Sequence, residues 1–172
     1  MRGRRRAWLL AGCALLAAAA AAILGFELYP SSGKTFTGPG GAFVLSYPNS
    51  WQVVPSTRLA RLPDHPLAAL DSTAGGGSVT ITRDVREALG GIRTQVSADF
   101  RERLEDYRLL SDGLVKTRAG SIFVYSYLEP GGAAVHTVAL VPAGNHSFLL
   151  TGVASPAAKK QVESMIRSFR PR

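Results

Sequence analysis

Residues 109–153 read LLSDGLVKTRAGSIFVYSYLEPGGAAVHTVALVPAGNHSFLLTGV, and this stretch decides the fold. Four apolar runs, 109–118, 121–128, 134–141 and 147–153, alternate with short polar breaks. The breaks are Arg118-Ala119-Gly120, Glu129-Pro130-Gly131-Gly132 and Pro142-Ala143-Gly144-Asn145. Each is a tight turn in which glycine supplies a positive φ, so the four runs form an antiparallel meander. The run 122–128 is apolar or aromatic on both faces, the pattern of a central strand. Before the meander the period changes: Ile92, Val96, Phe100, Leu104 and Tyr107 form one stripe at helical spacing, opposite a charged face of Asp99, Arg101, Glu102, Arg103, Glu105 and Asp106. After it, Ser155-Pro156 reads as an N-cap followed by proline at the first helical position, and Val162, Met165, Ile166 and Phe169 make a second stripe. Strands and amphipathic helices in this order specify an α+β domain, an antiparallel sheet with helices packed on it.

Upstream, 42–47 (AFVLSY) reads as a strand with Phe43, Leu45 and Tyr47 on one face, stopped by the turn Pro48-Asn49-Ser50. Residues 52–54 form a short second strand. The segment 55–69 holds three prolines and reads as a loop with one helical turn, with 67–70 touching the sheet. Ala74-Gly75-Gly76-Gly77 is a break before 78–83 (SVTITR), which alternates with Val79 and Ile81 inward. The nonapeptide Phe43-Val44-Leu45-Ser46-Tyr47-Pro48-Asn49-Ser50-Trp51, together with a closing helix that ends in Ser168-Phe169, resembles the PsbP-like superfamily. That group includes the photosystem II extrinsic protein and the DcrB-like bacterial envelope proteins. The resemblance spans about 41–170 and implies an α-β-α sandwich whose members are mostly non-enzymatic accessory subunits, assembly factors or envelope proteins. It transfers no functional residue, because the group shares no catalytic set, and photosystem function does not carry over.

The N-terminus sets the expected address. Arg2, Arg4, Arg5 and Arg6 form a basic region, 1–6, ahead of 20 uncharged residues, 7–26. A helix of that length spans roughly 30 Å, the hydrocarbon thickness of a bilayer. Arginines on this flank favour a cytoplasmic N-terminus and a domain on the extracytoplasmic side. Three fates remain open: an uncleaved single-pass signal anchor, which fits the length and charge best; a cleaved signal peptide using the small residues of 18–22; and lipidation at Cys13, because Leu10-Ala11-Gly12-Cys13 resembles a lipobox. Residues 27–40, rich in Gly, Pro, Ser and Thr, read as a linker ahead of an extracytoplasmic domain at 41–172.

The chain carries 20 Lys+Arg against 12 Asp+Glu, a net of +8, but four arginines belong to the N-terminal cluster. The remainder, 16 basic against 12 acidic, is mixed in sign along the sequence and gives no nucleic-acid face. Cys13 is the only cysteine, so the exported part has neither a disulfide nor thiol chemistry. The 75–77 glycines lack the Lys-Ser/Thr of a phosphate loop, and no G-x-S-x-G elbow occurs. His65, His136 and His146 lack metal-ligand spacing; His136 and His146 approach one another only if the hairpin between them brings them together, which would be the one route to a metal-dependent hydrolase. Adjacent Asp64 and His65 sit in the proline-rich loop. Trp51 is expected as a core anchor with its indole N–H on a carbonyl, ligand stacking being the alternative. Tyr125 and Tyr127, or the loop 55–66, would supply a docking patch. These readings add up to a membrane-anchored, non-enzymatic envelope protein, without cofactor or metal, that binds another envelope protein. The alternative is a module with a closed apolar cavity for a small molecule or lipid.

Overall fold

The computed structural model describes residues 33–63, 65–84, 108–117 and 120–172, all within the compact unit Ser32–Arg172. Ten strands and two helices follow one another: β1 (Gly33–Thr37), β2 (Phe43–Pro48), β3 (Trp51–Val53), the single turn α1 (Ser56–Leu59), β4 (Ala68–Ser72), β5 (Gly77–Asp84), β6 (Arg108–Thr117), β7 (Gly120–Leu128), β8 (Val135–Ala143), β9 (His146–Ala154), α2 (Lys159–Ser168) and β10 (Arg170–Pro171). A three-stranded sheet has the order β1-β2-β10, and a seven-stranded sheet the order β3-β4-β5-β9-β8-β7-β6. Every pairing is antiparallel.

The meander stands as read, from β6 to β9. β8 and β9 turn about Gly144-Asn145, closed by the pair Ala143↔His146, with Gly144 at φ +65. β7 is flanked on both sides and buried on both faces, yet it lies next to the sheet's last strand; the middle place belongs to β9, which β5 joins from the other side. The inward face of the large sheet meets α2 and the small sheet. Val162, Met165, Ile166 and Phe169, the predicted stripe, are all buried and pack with Phe43 and Leu45 of β2, Leu70 of β4, Val79 and Ile81 of β5, and Phe148 and Leu150 of β9. Phe43, Phe148 and Phe169 meet pairwise at ring-centroid distances of 5.6, 5.0 and 5.3 Å, close enough for edge and tilted contacts that add to their burial. At Gly152 of β9 a Cβ would stand 2.3 Å from Cγ1 of Val162. Glycine there is what lets α2 come down onto the strand.

Polar ties hold the two sheets and α2 together. The Trp51 indole N–H donates to Oε1 of Gln161 on α2 at 2.7 Å. The Ser168 hydroxyl accepts from the Ser46 amide at 2.9 Å and lies 2.7 Å from the Met165 carbonyl.

Four readings are corrected. The linker 27–40 is too long by a strand: Gly33–Thr37 pairs residue by residue with β2, and Phe36 tilts onto Phe43 at 6.0 Å. Its sequence, GKTFT, holds one apolar side chain and so gives no alternation to read. Residues 68–72 are a full strand, not a loop touching the sheet; Ala68, Ala69 and Leu70 are buried because β3 and β5 flank them. The last helix begins at Lys159 rather than beside Ser155, whose carbonyl instead accepts the amides of Ala158 and Lys159 in a preceding turn. The strand after the Tyr47-Pro48 turn starts at Trp51 itself. The helical stripe at 92–107, Asp64, and the N-terminal segment with Cys13 lie outside the described residues. No helix among the described residues is long and apolar enough to cross a membrane.

Candidate functional site: an open cleft beside the glycine turn

Alternation along the strands sends every second side chain of the large sheet away from α2. On β3, β4 and β5 these are Gln52, Ala69 and Asp71, and Ser78 and Thr80. They floor an open cleft of about 790 Å³. One wall is Arg58 of α1 with Leu62; the other is the turn Ser72–Gly77, with Val153 and Ser155 at the end of β9 and Ala133-Ala134 ahead of β8. The turn is fixed by backbone bonds from Gly75 N–H to the Ser72 carbonyl (3.0 Å) and from Ser155 N–H to the Gly76 carbonyl (2.9 Å). Gly75 has φ +73, a conformation that favours glycine. At Gly77 a Cβ would come within 2.9 Å of the Val153 carbonyl, so the AGGG run serves a turn and a close strand approach.

The charge in the cleft is one ion pair, Arg58 Nη1 to Asp71 Oδ2 at 3.2 Å, with the arginine largely in solvent. Such a pair contributes little stability and leaves the guanidinium free to exchange partners. The remaining lining combines small side chains with hydroxyls and an amide. That combination suits an extended segment that needs both backbone hydrogen bonds and shallow apolar seats.

The residues singled out in the sequence lie elsewhere. Trp51 is fully enclosed, with its indole N–H bonded to the side-chain carbonyl oxygen of Gln161. It offers no face to a ligand. Tyr125 and Tyr127 are buried, with 6% and 7% of their surface accessible, and so form no docking patch. Tyr125 sits in a second apolar cluster with Phe123 and Val138, its ring 4.5 Å from that of Phe123. Tyr127 stacks on His136 across β7 and β8 at 4.8 Å and 9°, and His136 Nε2 contacts Oε1 of Glu129. Burial, then the negative charge of Glu129, pushes the Tyr127 phenol up to about 12.

His136 and His146 do not meet. His136 stands opposite Val153, whereas His146 closes the hairpin against Ala143. The seven-residue offset along β8 puts them roughly 24 Å apart at about 3.4 Å per residue. A shared metal between them is thereby ruled out. His146 instead lies 3.2 Å from the Arg83 guanidinium, and His65 is exposed with φ +43. Among the described residues no three His, Cys, Asp or Glu side chains converge as metal ligands. The cavity between α2 and the sheet, bounded by β6 and β7, is about 150 Å³ and carries Asp112, Glu163 and Arg167. It is smaller and more polar than the closed apolar chamber that a lipid would require.

The alternation of 78–83 already pointed Ser78 and Thr80 outward. Asp71 and Ala69 were hidden because 68–72, poor in β-branched residues, carries no strand signature.

Known structures share this architecture. The solution structure of CyanoP, the cyanobacterial PsbP of Synechocystis sp. PCC 6803, matches with a TM-score of 0.61, covering 84% of this chain and 95% of CyanoP at 10% identity. The fold is PsbP-like. The chain is also similar to LpqN of Mycobacterium tuberculosis, a protein involved in cell envelope biogenesis (TM-score 0.51, 10% identity, 83% of this chain and 86% of LpqN). A Bacteroides thetaiotaomicron VPI-5482 protein matches with a TM-score of 0.53 at 18% identity, over 81% of this chain and 48% of its own. No family model and no curated protein matches the sequence.

Proposed function

We propose that this chain is a membrane-anchored accessory protein of the cell envelope. Its PsbP-like domain faces the extracytoplasmic side and holds a segment of another envelope protein in the cleft between α1 and the glycine turn. The observation that carries this reading is the cleft itself: open to solvent, floored by outward-facing strand residues and mixed in polarity. An open site of that kind leaves a small molecule in water but accommodates a chain that continues beyond it. The basic cluster and apolar run of 1–26 support the anchor, and the envelope role of the structurally similar LpqN supports the setting. The reading is non-enzymatic, with the cleft's ion pair, hydroxyls and amide serving to bind rather than to react.

The test is in-cell photo-cross-linking of the full-length chain, with the photoreactive residue at Gln52 or Thr80 in the cleft and, as control, at Lys34 on β1. A reproducible envelope protein joined from the cleft positions and not from Lys34 is the expected outcome. Equal labelling from all three positions would remove the cleft from the account.

A further inference from the structure

β6 ends the seven-stranded sheet, and among the described residues no strand pairs with its outer edge. Exposed strand edges usually carry a device that prevents pairing. β6 has one at its start, an irregularity in its ladder with β7 between Leu109 and Ser111. From Ser111 to Thr117 the ladder is regular, and Thr117↔Gly120 closes the two-residue hairpin to β7. In such a hairpin the closing pair is hydrogen bonded and the bonding alternates from there. Val115 and Gly113 therefore spend their backbone groups on β7. Lys116, Leu114 and Asp112 present theirs to the open edge. The side chains of these three share one face, the one on which Phe123 and Tyr125 lie, and Leu114 is 70% exposed, the most exposed large apolar residue described.

From this arrangement we infer that β6 is a self-recognition edge: two copies of the chain pair antiparallel through Ser111–Thr117 about a two-fold axis at Leu114. The regular window is seven residues long and Leu114 is its centre, so the two-fold places Leu114 against its own copy. It also sets Asp112 opposite Lys116 and Lys116 opposite Asp112, two attractive cross-strand pairs on the same face as the leucines. Gly113 falls opposite Val115, where the missing Cβ leaves room for a branched side chain. The register that satisfies the outward backbone groups is thus also the register that matches the charges. Neither Asp112 nor Lys116 forms an ion pair among the described residues. The interface is isologous and closed, joining two seven-stranded sheets edge to edge without leaving β6 free to propagate.

The charges allow a decisive test on the full chain in a mild non-ionic detergent, by sedimentation equilibrium. Asp112→Lys sets lysine against lysine and Lys116→Asp sets aspartate against aspartate; each single reversal weakens dimerisation about tenfold or more, because two attractive pairs become two repulsive ones. The double variant Asp112→Lys/Lys116→Asp restores the pairing and brings association back to within about threefold of the unaltered chain. In the unaltered chain the amide protons of Asp112, Leu114 and Lys116 gain protection from hydrogen exchange as concentration rises, a readout that needs no variant. A chain that stays monomeric at all concentrations, a dimer indifferent to the single reversals, or a double variant as weak as the singles would each overturn the assignment.

Discussion

Across β3, β4 and β5 the two faces of the seven-stranded sheet are built by the same strands and do opposite work. On the inward face Leu70, Val79, Ile81 and Leu150 are closed off by α2 and β2, and polar groups there are satisfied one by one: Trp51 by Gln161, the Ser46 amide by Ser168. On the other face the residues between them, Gln52, Asp71, Ser78 and Thr80, line a cleft with one solvent-facing ion pair. In this half of the sheet, core packing is therefore concentrated on the inward side, whereas at β7 and β8 the outward face also closes over Phe123, Tyr125 and Val138. At β3, β4 and β5 the outward side is left to vary, which is where a binding surface can be placed.

The comparison breaks first if its dry side is not what holds the domain. Trp51→Ala removes the largest fully buried side chain among the described residues and leaves the Gln161 amide without its donor; it should lower unfolding free energy by about 3–5 kcal/mol in chemical denaturation. A loss near zero would put the core elsewhere. Next, Gly152→Ala drives a methyl group into Val162 and should cost about 1–3 kcal/mol by the same measurement. It also tests whether the approach of α2 to β9 is as close as drawn.

At the margin of the second face, Tyr127 sharpens the contrast through pH. Its phenol is raised from 10 to about 12 in the folded chain, so folding favours the protonated form. The contribution is complete below pH 10 and is lost as pH rises from there through the folded value. Ultraviolet titration should show a tyrosine step near pH 12, and Tyr127→Phe should abolish that step while flattening the alkaline fall in stability. The smallest effect belongs to the cleft: Arg58→Ala and Thr80→Ala should each change stability by no more than about 0.5 kcal/mol while reducing cleft-specific cross-linking. If either unfolds the domain, the division of labour between the faces is wrong.

The sequence carried the meander and the last helix because their signals are redundant. Period, turn glycines and burial all agree in 109–153, and Val162, Met165, Ile166 and Phe169 repeat at helical spacing on a helix that does pack by that stripe. β1 and β4 were invisible for the converse reason. GKTFT and AALDS are strands only because neighbours accept them, and their partners are set by pairing rather than by local preference. The cleft inherits that blindness, since Asp71 lies on β4. Tyr125 and Tyr127 misled as docking residues because aromatic alternation on a strand does not reveal which face is covered. For the histidines the register decided: a hairpin brings together residues equidistant from its turn, and His136 and His146 are not.

β10 has a consequence for the order in which the molecule can be made. Arg170 and Pro171 pair with Val44 and Phe43, Arg172 donates to the Ala42 carbonyl, and Ser168 reaches Ser46 across 122 positions of sequence. A chain that emerges N-terminus first thus delivers β2 early and its second neighbour late. Until that neighbour arrives, β2 has β1 on one flank and an open flank on the other. Closure of the small sheet waits on the longest loop in the domain, a slow event by the entropy of bringing such distant segments together. The interval between the appearance of β2 and that of β10 is when this domain is most open to misassociation and to any chaperone that meets it. A chain cut after Ser168 would prolong that interval indefinitely.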